Sequence, residues 1–383
     1  MAKEDHLVGS AASFDQENLA RARRERGIGG TVNLEKALWA LEYTAQLKEA
    51  GLDFVLKGGT AVQLVTDPAW PRFSVDVDIC TGATSEELEE VMSSVSGGFE
   101  PGFDFEPRRG GRLNTPSFTS YRIATPPIGG PSRGILLDAH LSLPGYKTQA
   151  TPLRSFFYDS SASVMTPSTG GLLGDKLTTI PSNTVGRGIR DSRQGLDYAK
   201  HVFDVHRLAR GGTDPHHVKE AFETVVGDQN QLRGTEFDLD EVVGDLVVTC
   251  QAISTMVNPR GWLPAWSPPL AHELEYLQRI FRRGLRDLRP FLTGEVIFGE
   301  DEFVTAAGEA ALIGLSTPSD EDIERTVAAI REGAYAQRSV EGSMRMLGEA
   351  DAEQRWFIDM EGGLYSRSAL GTWSEVVRRL TDG

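Results

Sequence analysis

The stretch "FVLKGGTAVQLVTDPAWPRFSVDVDIC", residues 54–80, constrains this chain more than any other. A short apolar run ends in two glycines and a threonine, an apolar helical pattern follows, and a proline-broken loop leads to strict apolar/polar alternation. Alternation is the period of a β-strand, whose successive side chains point to opposite faces. Val75, Val77 and Ile79 therefore face one way, and Asp76, Asp78 and Cys80 the other. A carboxylate on a largely buried strand is costly unless something pairs with it. Two that point the same way also repel, and hard oxygen ligands of this kind suit Mg²⁺. Gly58, Gly59 and Thr60 lie between strand and helix, where backbone N–H groups and the helix dipole can cradle phosphate oxygens.

The segments on either side read as regular elements. Residues 12–50 read as helix interrupted by glycines, with Leu34, Ala37, Leu38, Leu41 and Tyr43 at helical spacing. "SEELEEVMSSV" (85–95) reads as a helix capped by Ser85. "SFTSYRIA" and "GILLDAHLSL" (134–143) read as strands, and the second offers a third carboxylate, Asp138. Three acids on neighbouring strands can hold two metals, which activate an attacking hydroxyl and stabilise departing pyrophosphate. From about 165 the patterns turn helical, so the chain divides into 1–160, an α/β unit, and 161–383, mainly helical. Tryptophans 262, 266, 356 and 373 belong to core packing.

Composition excludes more than it selects. The 383 residues carry a net charge of −16, which argues against a protein coated in basic surface but not against a local basic stripe. Lys176, Arg187, Arg190, Arg193, Lys200, Arg207 and Arg210 form such a stretch, fit for a triphosphate or an RNA backbone, and Arg108, Arg109 and Arg112 form a second basic loop. Cys80 and Cys250 are too few for a disulfide framework, which fits a reducing cytosol. No apolar run approaches a membrane span. "GGLLGDKLT" fails the P-loop spacing. The histidines 201, 206, 216 and 217 match no zinc spacing.

"LKGGTAVQLV" followed by "RFSVDVDI" resembles the opening motifs of the AbiEii/AbiGii nucleotidyltransferase toxins, which include the MenT toxins of mycobacteria, and the wider polymerase-β-like superfamily. "LLGDKLTTI" and "AKHVFDVHRL" resemble the family's later lysine and aspartate motifs, although His201 stands where the family usually has an acid. The resemblance implies an α+β fold, with a polymerase-β-like core on a mixed sheet followed by a mainly helical domain. Residues 161–213 of that domain would complete the active site. It implies Mg²⁺ (or Mn²⁺) on Asp76 and Asp78, with Asp138 added from the strand pattern, and nucleotide contacts by Lys57, Gly58, Gly59, Thr60, Arg72 and Ser74. Lys176 and Asp204 complete the catalytic set. The implied activity is transfer of NMP from an NTP to an acceptor hydroxyl, by resemblance the 3′ end of tRNA, in a toxin–antitoxin or phage-defence system with an antitoxin protein as partner. A small-molecule or protein acceptor, and a non-catalytic nucleotide-binding module, are the competing readings. Phosphorylation of Ser74 would add about −1.5 to −2 charge beside the aspartates and is expected to block nucleotide binding.

Overall fold

A computed structural model describes residues 6–28, 30–66, 72–98, 103–108, 116–128, 134–189, 194–257, 271–294, 296–337 and 366–382. Arg109, Arg112, Arg190, Arg193, Trp262, Trp266 and Trp356 lie outside the described residues. The chain forms two compact units, Met1–Leu172 with Pro290–Val296, and Leu173–Arg289 with Ile297–Gly383.

The first unit is built on a mixed seven-stranded sheet of order β3-β4-β5-β2-β1-β7-β6. Its strands are β1 (Phe54–Lys57), β2 (Asp76–Thr81), β3 (Phe105–Pro107), β4 (Phe118–Ala124), β5 (Gly134–His140), β6 (Thr148–Ser155) and β7 (Tyr158–Pro167). β2 runs antiparallel to β1 and parallel to β5, while β7 runs parallel to β1. Helices α1 (Gln16–Glu25), α2 (Thr31–Glu49), α3 (Gly58–Val65) and α4 (Ser85–Gly97) accompany the sheet.

Helix α2 is apolar nearly all round, as a helix enclosed on several sides must be. Leu34, Ala37, Leu38, Leu41 and Tyr43 are all buried. Its one fully enclosed carboxylate, Glu42, accepts hydrogen bonds from the Val8 and Gly9 amides (2.8 and 2.9 Å), Tyr158 Oη (2.9 Å) and Gln46 Nε2 (2.7 Å), which offset its desolvation. The cap of α4 is Thr84 rather than the expected Ser85. Only Thr84 has a glutamate three residues on, and Thr84 and Glu87 close a reciprocal capping box. The hairpin β6–β7 was not expected from the sequence, and residue 160, where the sequence patterns place the division, lies inside β7.

Helix α5 (Thr169–Leu177) leads into the second unit, which continues with α6 (Gln194–Arg210), α7 (Val218–Arg233), α8 (Leu239–Ser254), α9 (Ala271–Leu288), α10 (Glu300–Ser316), α11 (Asp320–Arg331), α12 (Ala334–Gln337) and α13 (Arg367–Asp382). Buried along nearly its whole length, α10 packs against α6, α8, α11 and α13. Gly308 leaves room there for Trp373, whose indole N–H donates to the Val304 carbonyl (3.0 Å). Both cysteines are buried, and no described helix is long and apolar enough to cross a membrane.

Candidate active site

Strand pairing lines up the chemistry. In β1, β2, β5 and β4, Lys57 is the register partner of Asp78, Asp78 of Asp138, and Asp138 of Ser120. Register partners share a sheet face, so these four side chains form one row across four strands. Val77 and Ile79, on the opposite face, are fully buried. The Lys57 ammonium lies 5.7 Å from the centre of the Tyr146 ring.

The glycine turn is shaped by this row. Gly58 adopts a left-handed φ of +66°, and a Cβ there would overlap the Asp78 carboxylate. Only glycine satisfies both conditions. A Cβ on Gly59 would lie 2.6 Å from Arg72 Nη2 and 2.7 Å from Ser74 Oγ, so Arg72 and Ser74 close directly over the start of α3. Both are buried. Arg72 Nη1 donates to the Phe73 carbonyl (3.0 Å), and the Ser74 amide donates to Gln63 Oε1 (3.1 Å). Thr60 donates its hydroxyl hydrogen to the Asp76 carbonyl at 2.6 Å. That bond ties α3 to β2 and spends the Thr60 hydroxyl hydrogen, so what Thr60 offers a phosphate is its backbone N–H.

Asp138 is engaged from the side. Ser120 Oγ donates to Asp138 Oδ1 (2.5 Å), and Arg108 Nη1 lies 3.3 Å from Ser120 Oγ and 3.9 Å from the same carboxylate oxygen. Like charges on adjacent strands repel, and turning one oxygen toward a hydroxyl and a guanidinium relieves Asp138. Among the described residues no group of three or more His, Cys, Asp or Glu side chains is gathered to hold a metal ion. Asp76, Asp78 and Asp138 share one sheet face. The donor chemistry still fits Mg²⁺, which binds through one or two carboxylates together with substrate phosphates.

In the second unit Lys176 Nζ lies 3.2 Å from Asp204 Oδ2, with the side chains 6% and 0% exposed. Asp204 is therefore enclosed against Lys176, not on the surface where helical spacing alone would set it beside Lys200. Of the seven cations in the basic stretch, Lys176, Arg187 and Arg210 meet acidic partners. Arg187 meets Asp197 (2.8 Å), and Arg210 and His206 both meet the buried Glu309 (2.6 Å each).

Ser120 and Gln63 are site residues that sequence reasoning missed. Ser120 lies in an alternating strand, but only the β4–β5 register identifies its partner.

A family model described as nucleotidyl transferase AbiEii toxin, type IV TA system, matches residues 39–266. The chain belongs to the AbiEii family. This AbiEii protein is thus a nucleotidyltransferase toxin of the type IV toxin–antitoxin class, which takes an NTP and has an antitoxin partner. A solved structure of MenT4, a nucleotidyltransferase toxin from Mycobacterium tuberculosis H37Rv, is similar at 14% identity and a TM-score of 0.44, over 82% of this chain and 99% of that one. Among curated proteins no match is found.

Proposed function

We propose that this AbiEii toxin transfers a nucleoside monophosphate to the 3′ hydroxyl of tRNA in the cytoplasm, and that the growth arrest which follows serves phage defence. The carrying observation is the row of Lys57, Asp78, Asp138 and Ser120 against the glycine turn. In the reaction the acceptor oxygen forms a bond to the α-phosphorus while the bond to the bridging oxygen breaks, and pyrophosphate leaves with that electron pair. The first N–H groups of α3 have no partner within the helix and can bind phosphate oxygens without moving. Arg72 adds a fixed guanidinium and Ser74 a hydroxyl at the same point. Asp76 and Asp78 would hold Mg²⁺, whose chemistry is to neutralise phosphate charge and lower the pKa of the attacking hydroxyl. From the family resemblance, Lys176, whose ammonium meets Asp204, is assigned the positive charge for the leaving pyrophosphate. Asp138, fixed by Ser120, keeps one oxygen to orient or deprotonate the acceptor.

The test is incubation of the full-length protein with each α-labelled NTP, Mg²⁺ and total tRNA, with an EDTA control. Label is expected on the tRNA 3′ end, sensitive to periodate pretreatment of the RNA and to EDTA. Label on no RNA, but on an aminoglycoside or a protein hydroxyl screened in parallel, replaces tRNA as the acceptor. The charge of −16 makes a cationic acceptor worth including.

A Ser74→Glu variant tests the nucleotide end of the site. Ser74 is enclosed beside Gly59, so an added carboxylate meets the phosphate position with like charge and excess bulk. NTP affinity is expected to fall at least about a hundredfold, while Ser74→Ala, which loses one hydrogen bond to a charged group, falls about tenfold. Equal NTP affinity for Ser74→Glu and wild type, by titration calorimetry, removes Ser74 from the site.

A further inference from the structure

Residues Pro290–Val296 belong to the first unit although they lie beyond the family-matched span 39–266. Their place is beside the nucleotide loop. The Phe73 amide donates to the Phe291 carbonyl at 2.8 Å, and Arg72 and Leu292 form an antiparallel bridge. On its other side the segment is held by the chain start. The Gly294 amide donates to the Arg26 carbonyl (2.9 Å), and Asn33 Nδ2 donates to the Pro290 carbonyl (3.1 Å). The approach is as close as two backbones allow, since a Cβ on Gly294 would lie 2.6 Å from the Gly27 carbonyl oxygen. Leu292 and Thr293 are buried.

The consequence runs through Phe73 to the phosphate end of the site. Phe73 is fixed below by Phe156 and Phe157, with ring centres 6.0 and 5.8 Å away, and the Arg26 guanidinium covers Phe156 at 4.9 Å. Its neighbours Arg72 and Ser74 are the two groups that crowd Gly59. Gly59 has no side chain to push back, so the width of the phosphate cradle is set by where residues 72–74 are held. We propose that residues 290–294 form a positioning strap that sets NTP affinity by fixing Arg72 and Ser74. The strap lies beyond the span that the family model matches. The proposal rests on reading the glycine turn as the NTP site.

Gly294→Ala displaces the strap with one methyl group, because the obstacle it meets is backbone and cannot rotate away. In the full-length protein, hydrogen exchange at the Phe73 amide is expected to quicken and the Kd for NTP with Mg²⁺ to rise about tenfold. Misplacement of binding groups by about an ångström is enough for effects up to about a hundredfold. Asn33→Ala removes one exposed hydrogen bond to the strap and is expected to raise the Kd about threefold. It carries the test should Gly294→Ala fail to fold. Faster exchange at Phe73 with a Kd within twofold of wild type overturns the strap's role in binding and leaves the proposed function standing. A wild-type protein that binds none of the four NTPs overturns both.

Discussion

An Asp78→Ala protein is expected to transfer nucleotide roughly a thousandfold more slowly than wild type, a loss of about 4 kcal/mol in transition-state stabilisation. Asp78 sits in the centre of the row, flanked by Lys57 and Asp138, and its carboxylate fills the space that Gly58 leaves open. Removing it takes away a ligand suited to the nucleotide's divalent cation and opens a gap under the turn that receives the phosphates. Asp138→Ala is expected to cost less, about tenfold, because one Asp138 oxygen is already committed to Ser120 and Arg108. Both residues are half-exposed, so the melting temperature of each variant should stay within a few degrees of wild type. The measurement is single-turnover transfer from an α-labelled NTP at saturating Mg²⁺. If Asp78→Ala retains a tenth of the wild-type rate, the row is not the catalytic centre.

The row itself was only half legible. The β1–turn–α3–β2 order could be read because each step is a local signal: apolar run, glycine pair, helical spacing, alternation. Asp138 could be nominated from its strand pattern, but its alignment with Asp78 depends on a parallel register between segments about 60 residues apart, and no local pattern encodes that. Ser120 and Gln63 were invisible for the same reason. Their role lies in what they face.

Strands β6 and β7 show a different limit. "TQATPLRS" and "YDSSASVMTP" are rich in Ser, Thr and Pro, residues that elsewhere mark turns, so the segment reads as irregular. In the structure the hydroxyl groups find partners across the sheet, as between Thr151 and Thr166 at 2.7 Å. Pairing overrides the weak local preference. The segment 290–294 is a sharper case, since "AHELEYLQRIFRRGLRDLRPFL" reads as helix through residue 292, and no local pattern encodes its pairing with Arg72 and Phe73. Charge counting alone does not pair the charges. Lys176, Arg187 and Arg210 each have an acidic partner, and Asp204 and Glu309 are buried.

The buried pair of Lys176 and Asp204 leads to the largest expected change in stability. Lys176→Met keeps the aliphatic length of the side chain but leaves the Asp204 carboxylate enclosed without its ammonium. Breaking one partner of a buried ion pair costs about 3–5 kcal/mol, because the remaining charge has lost its compensation. At roughly 2–4 °C per kcal/mol for a unit of this size, the melting temperature should fall by about 10 °C. Replacing both charges, as Lys176→Met with Asp204→Leu, removes the stranded carboxylate and is expected to recover most of that loss. Transfer activity should not recover with it, since the ammonium proposed to act on the departing pyrophosphate is gone in both proteins. The double-mutant cycle therefore separates two roles that the single substitution confounds. A Lys176→Met protein that melts within about 2 °C of wild type denies the pair its structural weight. A stable double variant that transfers nucleotide at the wild-type rate denies it any part in the chemistry.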